Sequence, residues 1–138
     1  MSGPPSSSPG PLTSQAAFCR AHWSLAEAAY QRGLVQGMLN HVVVLVDLSD
    51  PASRHLAESF GIRRNDIRQK LLKARARGTS PVLAFPATTD QATDVLATLA
   101  PYAAEGLQDH RAGEEFHVVV VAAGSACIAS VRSAGHFN

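Results

Sequence analysis

Residues 63–77 read RRNDIRQKLLKARAR, and seven of the chain's 12 Lys and Arg residues fall within this stretch: Arg63, Arg64, Arg68, Lys70, Lys73, Arg75 and Arg77. Asp66 is the single acid among them. A helix of this composition presents a cationic face that attracts phosphates or an acidic protein surface. A second group of chemically capable residues stands where apolar runs end. Asp47, Ser49 and Asp50 follow HVVVLVDL, and Thr88, Thr89 and Asp90 follow PVLAF. Ser125 and Cys127 follow FHVVVVAA. Carboxylates and hydroxyls at the carboxyl ends of strands can hold a polar ligand. The same residue types are also the usual helix caps.

The remaining candidates are sparse. His22, His41, His55, His110, His117 and His136 are scattered. Cys19 and His22 share a helical spacing, but two ligands do not make a structural zinc site. Cys127 follows a Gly-Ser turn, where a nucleophile can sit, yet no base partner is identifiable; both cysteines read as small buried hydrophobes. There is no Gly-x-Gly-x-x-Gly and no P-loop lysine motif. No cofactor, no metal and no catalytic residue is therefore expected, and the reading leans away from an enzyme.

These residues need a scaffold. A length of 138 residues with 46% hydrophobic and 17% charged residues suits one domain with a proper core. The formal net charge of +1 excludes a molecule that is cationic overall, so charge-driven binding has to come from local clustering. Residues 1–11 hold four prolines and four serines and read as a disordered arm, leaving residues 12–138 as a single α/β domain. No apolar run is long enough for a membrane span and no secretory signal opens the chain, so a cytoplasmic location is expected.

Along the domain, residues 12–36 read as a helix capped by Ser14, with Phe18, Leu25, Ala29 and Tyr30 among its apolar positions. Residues 41–48 are a strand apolar on both faces. Asp50-Pro51 starts a helix that runs to about Phe60, and after Gly61 a second helix covers about Arg64–Arg77. Its apolar stripe is Ile67, Leu71, Leu72 and Ala74. Residues 81–85 form a short strand ended by Pro86. A helix follows that Pro101 kinks or restarts, then a polar loop over 108–115. Residues 116–123 are a third buried strand, and ACIASVR returns as an antiparallel edge strand before a loose SAGHFN tail. The order α-β-αα-β-α-β-β predicts a small three-layer α/β domain whose sheet of three or four strands is mostly parallel.

Two resemblances attach to the basic segment. Leu56, Ala57, Phe60, Gly61, Ile62 and Ile67 are spaced as in a helix-turn-helix, so HLAESFGIRRNDIRQKLLKARAR resembles that family over residues 55–77. The resemblance implies a recognition helix in which Arg63, Arg64, Asn65, Arg68 and Gln69 reach bases or phosphates. VVVLVDLS, ESFGI and KARARGTSPVLAF also resemble the anti-sigma-antagonist (STAS) pattern, which would place Ser59 at its phosphorylated serine at a helix start. Against that pattern, Asp47 and Ser59 are too far apart and Glu58 stands for the usual Asp.

The sequence thus supports a regulatory binding module that docks an anionic partner through helix 63–77. The expected partner is a protein, with nucleic acid as the other class, no membrane, and a homo-oligomer compatible with the composition. The alternatives are a helix-turn-helix DNA-binding protein, and a small enzyme or ligand-binding protein using Asp47, Ser49, Asp50, Thr88, Thr89 and Asp90.

Overall fold

A computed structural model of the protein describes residues 11–108, 115–132 and 136–137. The expected N-terminal arm lies outside the described residues except for Pro11, and so does most of the expected 108–115 loop. Among the described residues the chain forms six helices: α1 (Pro11–Ala21), α2 (Trp23–Val35), α3 (Pro51–Ser59), α4 (Arg64–Arg77), α5 (Thr89–Leu99) and α6 (Pro101–Gln108). The strands are β1 (Val42–Asp47), β2 (Val82–Ala87), β3 (Glu115–Ala122), β4 (Ser125–Arg132) and the two-residue β5 (His136–Phe137). Two residues of the tail expected to be loose are therefore paired.

The sheet order is β2-β1-β3-β4-β5. Only β1 and β3 are parallel, with Val43 opposite Val118; β2 runs antiparallel to β1, and β4 antiparallel to β3. The fold is α/β, but the expectation of a mostly parallel sheet is corrected. The reason lies in the crossovers. A single helix between two strands returns the chain so that the next strand runs parallel. Here two helices, α3 and α4, separate β1 from β2, and two more, α5 and α6, separate β2 from β3. The additional reversal makes each next strand antiparallel to the last. Gly61, at φ +91°, and Ala100 with Pro101 are the breaks that divide the crossovers.

Strand side chains alternate between two apolar layers. Val42, Val44 and Val46 of β1, with Val119 and Val121 of β3, face Ala57 and Phe60, Ile67 of α4, Leu96 of α5 and Leu107 of α6. Val43, Leu45, Val118 and Val120 face Cys19 of α1, Ala26 and Ala29 of α2, and Cys127 of β4. The helix expected over 12–36 is broken at His22, and Ser14 lies inside α1 rather than capping it.

Pro86 was expected to end its strand, yet it lies within β2 opposite Val43. The position is tolerated because β2 is an edge strand, where a missing outward N–H removes no ladder hydrogen bond. Arg32 of α2 donates from Nη2 to the Ala84 carbonyl at 2.8 Å, covering part of that edge.

Candidate functional site

The local chemistry that builds α4 is simple. The Gly61 turn sends the chain out of α3, Arg63 opens the helix in extended conformation, and Gly78 closes it in the left-handed region at φ +65°. Between these ends only Ile67 and Ala74 are buried, with Lys70 and Leu71 half-buried. Leu72, expected in the apolar stripe, is 53% exposed. The stripe is thus Ile67, Leu71 and Ala74, spaced by four and three residues along one side of the helix.

That narrow attachment fixes where the cations go. They do not form one continuous face. Arg64, Arg68 and Arg75 follow one flank, spaced by four and seven residues, and Lys70, Lys73 and Arg77 follow the other, spaced by three and four. Between the rows, farthest from the stripe, runs an uncharged exposed ridge of Asn65, Gln69, Leu72 and Ala76. Arg63 pairs with Asp66 at 3.4 Å, and Arg64 pairs with Glu58 of α3 at 2.8 Å. Glu58 thereby raises the Arg64 pKa above its ordinary value, chiefly through the hydrogen bond. The other five cations form no ion pair among the described residues.

Each row borders a cleft. On the α3 side, an open cleft of about 560 Å³ is lined by Arg54, Glu58, Arg64, Asn65, Ile67, Arg68 and Leu71. On the α2 side, one of about 530 Å³ gathers Lys70, Lys73 and Arg77 with His22, Leu25, Thr79 and Ser80. Arg54 and Glu58 of α3 entered no candidate site in the sequence. Their spacing of four residues is the only signal that places them together, and nothing in the sequence directs that side of α3 toward α4.

The strand-end residues are separated. Asp47, Ser49 and Asp50 sit at the carboxyl end of β1, near the β3–β4 turn. Because β2 is antiparallel to β1, Thr88, Thr89 and Asp90 sit at the opposite end, where Ala87 lies opposite Val42. The five-residue step from Val42 to Asp47 puts the groups about 17 Å apart at roughly 3.3 Å per residue. They do not converge on one ligand. Each set also has local hydrogen bonds. Asp47 accepts from Ser49 N–H at 3.0 Å and Ser49 Oγ–H at 2.6 Å. Asp50 caps α3, and Thr88 caps α5 by accepting from Gln91 N–H at 3.0 Å. Thr89 donates to the Asn40 carbonyl at 2.6 Å, and Asp90 is exposed in the first turn of α5.

Ser59 is the last residue of α3, its hydroxyl donating to the His55 carbonyl at 3.4 Å. It is therefore not at the helix start that the STAS pattern requires. No group of three or more His, Cys, Asp or Glu able to hold a metal ion occurs among the described residues, and no described helix is long and apolar enough to cross a membrane. Comparison with protein-family models, curated proteins and solved structures finds no match for this chain.

Proposed function

We propose that the protein is a non-enzymatic binding or regulatory module that docks an anionic partner through α4. The observation that carries this reading is the pairing state of the helix. Ile67, Leu71 and Ala74 hold α4 to the domain, while Arg68, Lys70, Lys73, Arg75 and Arg77 engage no carboxylate among the described residues. Cations that served the fold would be expected to meet its acids. Instead Arg68 lines one cleft and Lys70, Lys73 and Arg77 line another, on either side of the helix, in a chain of net charge +1. Such concentration speeds encounter with an anionic surface and is screened by salt.

The test reverses the rows separately. Arg68→Glu with Arg75→Glu reverses the two unpaired cations of one row, and Lys73→Glu with Arg77→Glu reverses two of the three in the other. Both pairs avoid the buried stripe, so circular dichroism should show an intact fold. Binding to the partner recovered with the native protein should weaken with one or both pairs, and more at low salt than at high salt. Full binding by both folded variants would reduce the cations to solvation.

One observation favours nucleic acid as the second class of partner. Asn65 and Gln69 lie on the outermost ridge with cations on both flanks, and the Gly61 turn precedes them. Asn and Gln are the side chains that read adenine in a major groove, while flanking cations contact phosphates. This reading predicts a steep salt dependence for duplex DNA and a loss of sequence preference, at nearly constant non-specific affinity, on Asn65→Ala.

A further inference from the structure

We propose that the cleft between α3 and α4 receives an acidic and apolar segment of a protein partner, with a carboxylate held by Arg54 and Arg68 and a neighbouring apolar side chain seated on Ile67 and Leu71. The inference rests on the reading of α4 as a docking element and names the chemistry of its protein partner.

The first observation is Arg54. Its Nε is buried and has no hydrogen-bond partner among the described residues. A buried donor left unsatisfied costs free energy, and more so on a charged group. Asp50 is close enough for its charge to act on Arg54, but Asp50 already accepts two hydrogen bonds from Ser53. Arg54 lines the cleft. Arg68 lines the same cleft, is exposed, and makes no ion pair among the described residues. Two guanidinium groups thus border one space without a carboxylate of their own.

The second observation decides which anion fits. Glu58 also lines the cleft and already engages Arg64 at 2.8 Å. A phosphate dianion would meet that carboxylate's repulsion twice over and would find one of three arginines committed. A single carboxylate suffers half the repulsion and matches the planar fork of either remaining arginine.

The third observation is size and lining. At about 560 Å³ the cleft falls in the range of about 300–1,000 Å³ that accommodates a ligand with an apolar body. Ile67 and Leu71 supply the apolar wall. The cleft is open, and Arg75 continues its cationic row along α4. That extension fits a chain segment with further acids better than an isolated small acid. Recognition of acidic motifs by arginine clusters is a recurring mode of peptide binding.

The experiment pans a random peptide library displayed on phage against the full chain, with Arg54→Gln and Arg68→Gln as counter-targets. Circular dichroism confirms that each variant is folded. Arg68 is exposed and off the buried stripe, so its variant preserves the test if Arg54→Gln does not fold. Enriched peptides should carry Asp or Glu beside Leu, Ile or Phe. The leading peptide, followed by fluorescence polarisation, should lose at least tenfold in affinity on Arg68→Gln, on Asp or Glu to amide, and on its apolar residue to serine. A library without enrichment, enrichment without acids, or equal binding by the folded variants overturns the pocket. So does a phosphoserine-for-acid version that binds more than tenfold tighter, which assigns the cleft to phosphate. If the row reversals of α4 abolish native partner binding while these results are negative, docking through α4 stands and only the pocket falls.

Discussion

The carboxylate of Asp50, at the start of α3, lies beside the backbone of Gly124 in the β3–β4 turn, whose N–H favours the charged form of that carboxylate. The same side chain accepts from Ser53 N–H at 3.1 Å and Ser53 Oγ–H at 2.8 Å. These donors favour the charged carboxylate and hold its pKa below the ordinary value, with the Ser53 side chain the largest cause. A depressed folded-state pKa gives stability that is present above the unfolded pKa and is lost as pH falls through the folded one. Asp50→Asn should therefore melt at a lower temperature than the parent at neutral pH. The two melts should converge in acid, below the folded pKa of Asp50. Thermal melts by circular dichroism across that range check this, and a gap that persists at every pH would mean the charge is immaterial.

Val44 tests the central strand. It is fully buried on β1 and faces the layer formed with α3–α6. Val44→Asp would bury a carboxylate with no partner, a cost of several kcal/mol against a total stability of roughly 5–15 kcal/mol. The variant should be unfolded or insoluble by circular dichroism and gel filtration, whereas Val44→Ala should fold. A soluble, folded Val44→Asp would contradict the placement of β1 between two layers.

The burial of that strand was legible in its residues; its direction relative to β2 was not. A run such as Val42–Val46 is apolar on both faces whichever way its neighbours point, so it reports two covering layers and nothing about direction. The direction was encoded in Gly61 and Pro101, which read as helix breaks, but each break also had to be counted as an additional reversal. The α4 limits, Arg64–Arg77, and the capping role of Asp50 were legible because glycine, proline and cap chemistry act locally. The two strand-end groups looked like one site only under a parallel sheet. The division of the α4 cations into two rows was present in their spacing. What the spacing could not supply was the position of α3, which brings Arg54 and Glu58 to one of the rows.

Gly33 and His41 give a prediction whose sign is diagnostic. Gly33 is buried in α2, and a Cβ built on it would collide with the His41 ring. That ring is buried, stacks on Tyr30 at 4.8 Å, and has Nε2 2.9 Å from the Tyr30 carbonyl oxygen and Nδ1 3.3 Å from that of Met38. Helix propensity alone would make Gly33→Ala stabilising by about 1 kcal/mol. The collision predicts a loss of about 1–3 kcal/mol instead. In a His41→Ala background the ring is gone, and Gly33→Ala should become neutral or stabilising. Urea unfolding of the four proteins measures the coupling, and additive effects would exclude contact between the two residues.

Cys19 of α1 and Cys127 of β4 lie in the same apolar layer, and both are buried. Burial raises each thiol to about 11, and for Cys19 the neighbouring Cys127 adds to the rise. The thiolate is the reactive form, so at neutral pH both side chains are protonated and inert. Native protein should react slowly with an aromatic disulfide reagent, at a rate set by opening of the fold, and two thiols should titrate promptly in denaturant. The same shift sets a pH dependence. A thiol whose pKa is raised on folding contributes nothing below its unfolded pKa and opposes folding above it, because the unfolded chain releases its proton first. Stability should therefore fall as pH rises from the ordinary thiol range toward about 11. Replacing both cysteines with alanine should flatten this fall at a stability cost set by the lost packing. Prompt labelling of either cysteine in the folded chain, or an alkaline profile unchanged by the double replacement, would remove both thiols from the buried layer between α1 and the sheet.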